Sequence, residues 1–452
     1  MDSNIKENIL RLDRPAPRYT SYPTAPHFRQ ETGGNTSKIW LESLPRNSSL
    51  SLYIHMPFCP KLCWFCGCHT KITKRYAPVE DYLHLLLREI DILTAFGRRD
   101  FTISHIHFGG GSPTILRSCD FALLMDKIRD SFDIADNAEI AVEIDPRQMS
   151  EAKAAAYAKS GVTRASLGIQ DFNQKVLESV NRAQPFYASY ETIQLLRDYG
   201  ISGINIDLMY GLPHQTADTM KEAAENVLLL NPDRLSLFGY AHVPWMKKHM
   251  RLIPEQALPN PAARLDLFDI AANIFQTSGY APIGIDHFAK PGDSLVKAKD
   301  SGTLHRNFQG YTTDNATALI GIGASAISRF PQGFTQNSVQ MPAYREHILA
   351  ETLATEKTCP LSDEDRLREE VIQSIMCTLA ADTAAICEKN GYARDYFTWE
   401  IGTLQPLKDS GLLDYDDAGN INVLVPHAAR LACIAFDAYL KQNETAKHVT
   451  TT

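Results

Sequence analysis

Short apolar segments alternate with stretches of helical period through most of this chain, and that alternation leaves few folds open to it. The apolar segments are residues 50–55, 104–108, 139–144, 164–169, 204–209 and 234–238. Between them lie stretches such as 79–96, whose Tyr82, Leu83, Leu86, Leu87, Ile90 and Leu93 share one side of a helix. Strands alternating with helices form parallel sheets through right-handed crossovers. Six such units predict an α/β fold, a partly open parallel (β/α)6-type barrel.

Polar residues recur where each predicted strand ends. Tyr53, His55 and a cysteine cluster end or follow the first strand, and Gly109, Gly110 and Gly111 follow the second. Glu143 and Asp145 end the third, Gln170 and Asp171 the fourth, Asp207 and Tyr210-Gly211-Leu212-Pro213 the fifth. Gly239-Tyr240-Ala241-His242 closes the sixth. In parallel barrels the active site lies at the carboxyl ends of the strands. Chemistry is therefore expected there.

The pattern changes after about residue 355. Residues 367–379 read as a helix, 412–425 as a hairpin with a Gly-Asn turn, and 426–440 as a second helix. This resembles a winged-helix module, but residues 361–441 carry 14 acidic against 7 basic side chains, the wrong sign for phosphate. A smaller, mainly helical domain capping the barrel is expected instead. The predicted organisation is an N-terminal extension (1–45), the barrel and its extension (46–355) and the C-terminal domain (356–452). Among the 452 residues no apolar run approaches the ~18 that span a bilayer. A net charge of −8 gives no footprint for nucleic acid or membrane. The first residues lack a secretory pattern, so a cytoplasmic location is expected; the protein is also expected to be a monomer.

Of nine cysteines, Cys59, Cys63, Cys66 and Cys68 fall within one short loop. Cys119, Cys359, Cys377, Cys387 and Cys433 are scattered among apolar neighbours and are expected to be buried small hydrophobes. The loop contains a C-x3-C-x2-C triplet directly after the first strand. Three thiolates on a [4Fe–4S] cluster leave one iron open to a small molecule. A zinc tetrahedron completed by Cys68, His55 or His69 is the alternative. Gly109, Gly110, Gly111 and Ser112 let backbone approach a ligand closely. The string Gly321-Ile322-Gly323-Ala324-Ser325-Ala326-Ile327 has dinucleotide-like spacing, but Arg329-Phe330-Pro331 leaves no room for the helix that such a site needs.

The cysteine triplet resembles that of the radical S-adenosylmethionine superfamily. Four further blocks resemble the oxygen-independent coproporphyrinogen III oxidase family: Arg18-Tyr19-Thr20-Ser21-Tyr22-Pro23-Thr24-Ala25, Cys66-Gly67-Cys68, Asn205-Ile206-Asp207-Leu208 with Tyr210-Gly211-Leu212-Pro213, and His305-Arg306-Asn307-Phe308-Gln309-Gly310-Tyr311. The similarity runs from about residue 14 to the last helix. It implies conversion of coproporphyrinogen III to protoporphyrinogen IX by oxidative decarboxylation of two propionates to vinyls. It also implies a [4Fe–4S] cluster on Cys59, Cys63 and Cys66, two S-adenosylmethionine molecules per site, and an electron donor such as a flavodoxin or ferredoxin. Relatives that carry heme as chaperones, or that open the heme ring, are the rival readings.

By the same resemblance, Tyr53, Phe65, Gly110, Gly111, Ser112, Glu143, Gln170, Arg182, Asp207, Ala241 and Ile327 contact S-adenosylmethionine. Ser112 stands where a threonine is common and keeps the hydroxyl. The substrate is a polyanion, so Arg14, Arg18 and Arg306, with His27 and Lys61, are candidate partners of its carboxylates. Three prolines at 15, 17 and 23 forbid a regular helix through 14–23. That segment is expected to lie extended over the barrel mouth, its arginines and tyrosines facing the tetrapyrrole. Removal of residues 1–30 is then expected to spare fold and cluster.

Overall fold

The computed structural model describes residues 1–31, 35–96 and 100–440. Every expected strand is present and longer than its apolar stretch, the third by six residues. They are β1 (Ser49–Met56), β2 (Thr102–Gly110), β3 (Asp133–Ile144), β4 (Arg164–Gln170), β5 (Gly203–Tyr210) and β6 (Arg234–Gly239). They pair in sequence order, all parallel. Helices such as Ala77–Phe96, Ser118–Ser131 and Ala217–Leu230 return the chain between them. Beyond β6 two antiparallel strands follow, β7 (Ala281–Ile283) and β8 (His287–Ala289), with β8 against β6.

On the other side β9 (Ala318–Ile322) lies parallel to β1. It is continued by antiparallel β10 (Ile327–Phe330), β11 (Gly333–Asn337) and β12 (Thr355–Pro360). Arg29–Gln30 pairs with β12 and ends the 13-stranded sheet on that side; β7 ends it on the other, so the barrel is open. β9 is a seventh parallel strand, beyond the six expected from the sequence. A Cβ at Gly321 would stand 2.6 Å from the Ile327 carbonyl oxygen, so glycine is what lets β9 fold back on β10. A strand follows the glycine string where a dinucleotide site needs a helix.

The two faces of the barrel strands differ in kind. Leu50, Leu52 and Ile54 of β1, Ile106 and Phe108 of β2, and Ile140, Val142 and Ile144 of β3 are buried in the shell shared with the helices. Their alternates line an interior cavity of about 830 Å³: Ser51, Tyr53 and His55, then His105 and His107, then Glu139 and Glu143. The same holds for Arg164 and Ser166, Asn205 and Asp207, and Arg234 and Ser236. Closed parallel barrels fill this space with branched apolar side chains. Here the period of two makes it a polar chamber instead.

The termini depart from expectation. β12 stays in the main sheet, so the boundary expected between 355 and 356 falls inside the barrel unit, which runs on to Pro360. The C-terminal unit packs helices Asp363–Thr378 and Ala429–Phe436 against a sheet of Ala380–Asp382, Asn420–Val423 and Leu413–Tyr415. Its last helix ends at Phe436 rather than 440, because the Asp437 carboxylate turns back to accept the Tyr439 and Leu440 amides. Residues 441–452 lie outside the described residues.

A helix over Ser3–Leu12 opens the chain, and its Ile9 joins the C-terminal core with Tyr19 and Tyr22. Tyr19 donates to Asp437 Oδ2 at 3.1 Å, Tyr22 accepts from the Ala438 amide at 3.0 Å, and Arg430 Nε donates to the Pro17 carbonyl at 2.9 Å. The two tyrosines are therefore core residues, and the expectation that they face a tetrapyrrole is corrected. Cys119 is a second correction. It stands exposed in the first turn of Ser118–Ser131, while the buried side of that helix is taken by Phe121, Leu124, Met125 and Ile128. Cys359, Cys377, Cys387 and Cys433 are buried as expected.

Candidate active site

β1 delivers its chain directly into the cysteine loop. Short strands Phe58–Cys59 and Lys71–Ile72 pair at the base of the loop. Its crown is tied down from outside: the Trp64 amide donates to the Val180 carbonyl at 2.9 Å, and Asn181 Nδ2 donates to the Leu62 carbonyl at 2.7 Å. His249 Nε2 meets the Cys66 carbonyl at 2.8 Å, and Lys247 Nζ the Cys68 carbonyl at 3.0 Å. Cys59, Cys63, Cys66 and Cys68 all border the cavity. Burial and the neighbouring Cys66 and Cys63 push the Cys59 thiol up to about 12. A Cys68 hydrogen bond brings Cys66 down to about 6.

Guanidinium groups back the loop. Arg182 Nη1 lies 3.3 Å and Arg147 Nη2 3.9 Å from Cys63 Sγ. Arg147 is itself held by two bonds to Asp145, from Nε at 2.9 Å and Nη2 at 2.7 Å. Burial alone would raise Asp145, but Arg147 and Arg182 hold it down at about 2. Arg182 also donates to the Gly168 carbonyl, and its buried Nε has no partner among the described residues. Gln170, next along β4, takes φ +77°, a strained conformation for a side-chain-bearing residue and one that clusters at functional sites.

The glycine run sits tightly against this loop. The Gly111 amide donates to the Met56 carbonyl at 2.7 Å and the Ser112 amide to the Phe58 carbonyl at 2.9 Å. A Cβ at Gly110, φ +111°, would stand 2.5 Å from the His55 ring. Beside it Glu143 accepts the Gly110 amide at 3.1 Å and meets His107 Nε2 at 3.2 Å. Asp207 accepts from Asn205 Nδ2 at 2.9 Å and Ser166 Oγ at 3.2 Å, and burial followed by the Glu143 charge raises its pKa. Both carboxyls are held in place, and both residues line the cavity. His55 is engaged at both nitrogens, by Tyr53 Oη at 3.1 Å and the His69 carbonyl at 3.2 Å, so it is not a free ligand for a zinc ion.

Tyr53, Phe65, Gly110, Gly111, Ser112, Glu143, Gln170, Arg182, Asp207 and Ala241 thus border one cavity. Ile327 does not: it sits on β10 against Phe28 and Phe334. Of the arginines expected at the substrate, Arg18 reaches the cavity and donates to the Gly239 carbonyl at 3.0 Å, as Lys61 reaches the mouth. Arg14 is exposed outside the lining. Arg306 is buried behind it, paired with Asp286 at 3.4 Å and lying over the Tyr311 ring. His27 lies against the Tyr439 ring. The sequence reading passed over His105, His107, Asn205, Ser166 and Arg147. For the four on strands the signal was the polar alternation inside strands that should be buried on both faces; Arg147, in the turn after β3, had no such signal.

The residues present fit an iron–sulfur cluster with a cationic organic ligand. With the Cys59 thiol raised by burial and the Cys66 thiol lowered, Cys59 joins Cys66 as a thiolate only beside strong positive charge, which a metal cluster supplies. Glu143 and Asp207 offer acceptors for hydroxyl or ammonium groups at the adjoining wall.

An open α/β barrel with such a loop defines a radical S-adenosylmethionine protein, and the superfamily model matches residues 53–227. The chain belongs to the oxygen-independent coproporphyrinogen III oxidase family. It is 46% identical to the enzyme of that name from Bradyrhizobium diazoefficiens over 94% of each chain, and 38% identical to that of Escherichia coli over 96% and 95%. A solved structure of coproporphyrinogen III oxidase (HemN) from Escherichia coli, a radical SAM enzyme, superposes with a TM-score of 0.88 at 37% identity, covering 94% of this chain and 98% of that one.

Proposed function

We propose that this chain converts coproporphyrinogen III to protoporphyrinogen IX without oxygen, turning two propionates into vinyls in porphyrin biosynthesis. One observation carries the reading: the cysteine loop and the strand-end carboxyls open on a single polar cavity, in a chain related to such oxidases along nearly its whole length. A bound [4Fe–4S] cluster with S-adenosylmethionine supplies a 5′-deoxyadenosyl radical able to take hydrogen from an unactivated carbon. Cys59, Cys63 and Cys66 would hold the cluster. Glu143 and Asp207, each fixed by two hydrogen bonds, would orient the sulfonium ligand, while Gly110 and Gly111 leave it room beside His55. Two such molecules per turnover site match the two propionates.

Arg18, the guanidinium at the cavity mouth, is assigned to a substrate carboxylate. Arg306 acts at one remove, by fixing Asp286 beneath that mouth. Low ligand exposure to water follows from the depth of the chamber, which protects a reactive intermediate. A small one-electron carrier protein, a monomeric state and a cytoplasmic location complete the reading. No helix of the described residues is long and apolar enough to cross a membrane.

The test is anaerobic turnover by cluster-reconstituted protein given coproporphyrinogen III, S-adenosylmethionine and a reductant. Protoporphyrinogen, with methionine and 5′-deoxyadenosine, is the expected result. Stable heme capture without decarboxylation, or opening of a heme ring, would overturn it.

A further inference from the structure

Two segments tied to the cysteine loop carry a charge opposite to that of the whole molecule. Residues 51–79 contain Lys61, Lys71, Lys74 and Arg75 and no acidic residue; residues 241–254 contain Lys247, Lys248 and Arg251 and none either, in a chain of net charge −8. The first segment is fastened at the loop's base, where the Lys71 amide meets the Pro57 carbonyl and the Thr73 amide the Cys59 carbonyl. The second is fastened at its crown, by His249 to Cys66 and Lys247 to Cys68.

The second segment has two sides. Val243 and Met250 face the cavity, and with Ile253 they pack against Trp64 and Phe65 of the loop. Trp245, Met246 and Leu252 are 49%, 65% and 58% exposed, lie outside the cavity lining, and alternate with exposed Lys248 and Arg251. Tryptophan, methionine and arginine are the residues that interfaces favour, and lysines around them steer an oppositely charged partner. Glu255, bonded to His242, marks the acidic border of this ridge. Lys248 and Arg251 lie outside the cavity lining and so are not assigned to the substrate's carboxylates, unlike Lys61, which reaches the cavity mouth.

We infer that the outer side of residues 245–252 is the docking surface for a small acidic one-electron carrier protein. The inference rests on the radical reading of the site, and it adds where the electron enters. Each docking delivers one electron: the carrier is oxidised by one and the site reduced by one. Entry through the ridge puts the carrier one hydrogen bond from the backbone of Cys66, while the cavity on the opposite side stays free for substrate. Weak, salt-sensitive contacts of small area suit such an encounter.

The experiment compares cluster-loaded wild-type protein with the triple variant Trp245→Ala, Lys248→Glu, Arg251→Glu, none of whose side chains touches the loop in the hydrogen bonds above. Binding of an acidic flavodoxin is measured by calorimetry at low and at physiological salt. Cleavage of S-adenosylmethionine is measured with reduced flavodoxin and, separately, with dithionite. The wild-type affinity should fall with salt, and the variant should bind about tenfold or more weakly with little salt dependence. Flavodoxin-driven cleavage should fall in step while dithionite-driven cleavage is unchanged. Equal flavodoxin affinity in the two proteins would overturn the docking surface. A raised KM for the tetrapyrrole with unaltered flavodoxin affinity would overturn it in favour of substrate binding. Failure of the wild-type protein to cleave the cofactor even with dithionite would instead overturn the reading of the site itself.

Discussion

At Cys63 two guanidinium groups converge on one sulfur, and this shows how residue types already evident in the chain acquire their function from neighbours that are not. The triplet spacing identifies the thiols; Arg182 and Arg147 come from β4's far loop and from beyond β3, and no spacing rule joins them. Replacing Cys59, Cys63 or Cys66 with serine should abolish cluster assembly, read as loss of about four iron and four sulfide per chain. Cys68→Ser should keep the cluster while impairing turnover. The carboxyls make a second expectation. Charge-assisted bonds are worth ~1.5–3 kcal/mol each, so Asp207→Ala and Glu143→Ala should each weaken S-adenosylmethionine binding more than about tenfold by calorimetry. Both should retain iron content, and unchanged affinity in both would return these residues to a structural role. Ile327 and Arg306 teach the opposite lesson. Their blocks look familial, yet their side chains point into packing and a buried ion pair, a direction that chain position does not reveal.

Among the elements, helix Ala77–Phe96 has the amphipathic stripe read from its sequence, but it also buries a carboxyl that the stripe does not explain. Glu89 accepts from the Gly323 amide at 2.7 Å, Asn337 Nδ2 at 2.7 Å and Tyr344 Oη at 2.6 Å, binding the helix to the β9–β10 turn. One helical turn pair away Tyr82 Oη donates to the His55 carbonyl at 2.9 Å, so the same helix also props the end of β1. Burial outweighs those three donors and raises Glu89 to about 7. A carboxyl raised in the folded state stabilises it fully below its unfolded value near 4.5, and that contribution is lost as pH rises through 7. The difference amounts to ~3 kcal/mol. Urea midpoints of the wild-type protein should therefore decline between about pH 5 and pH 7 more steeply than those of Glu89→Gln, which cannot ionise. Parallel pH profiles would exclude Glu89 as the titrating group. Why β9 escaped a reading of the sequence is also a matter of elements: two glycines weaken any strand signal, and here they mark a close backbone approach.

Over the whole molecule, the first thirty residues join the two ends of the chain. Ile9, Tyr19 and Tyr22 complete the C-terminal core, and Arg430 grips Ala16 and Pro17. Truncation to residue 31 should thus destabilise the C-terminal unit, contrary to the expectation of an independent lid. Deleting large buried side chains costs ~3–5 kcal/mol each, so an early unfolding transition should appear by calorimetric melting. A wild-type melting profile for the truncated protein would refute this packing. Arg18→Gln separates position from packing. It should leave folding and cluster content unchanged and raise the KM for the tetrapyrrole, since Arg18 is the one residue of the segment 14–23 that lines the cavity.

Strand order, the open barrel, the cysteine loop and the strand-end chemistry all followed from the sequence, because each depends on local signals: a period of two or 3.6, a short spacing, or a turn residue. Six strands were legible on those terms; the cofactor candidates came from the family resemblance, and all of them but Ile327 border one cavity. What only the tertiary structure decided is which face each polar residue shares and with whom. The polar alternation in β2 to β6 becomes a chamber only when the sheet curls, and the basic residues beside the loop become a surface only when its outer side is left uncovered. The proline-bearing segment has its extended form written in its own sequence, but whether it packs or covers depends on Asp437 and Arg430, more than four hundred residues away. Contacts between residues so distant in the chain carry no local signal; they are fixed by the summed packing of all the elements between them.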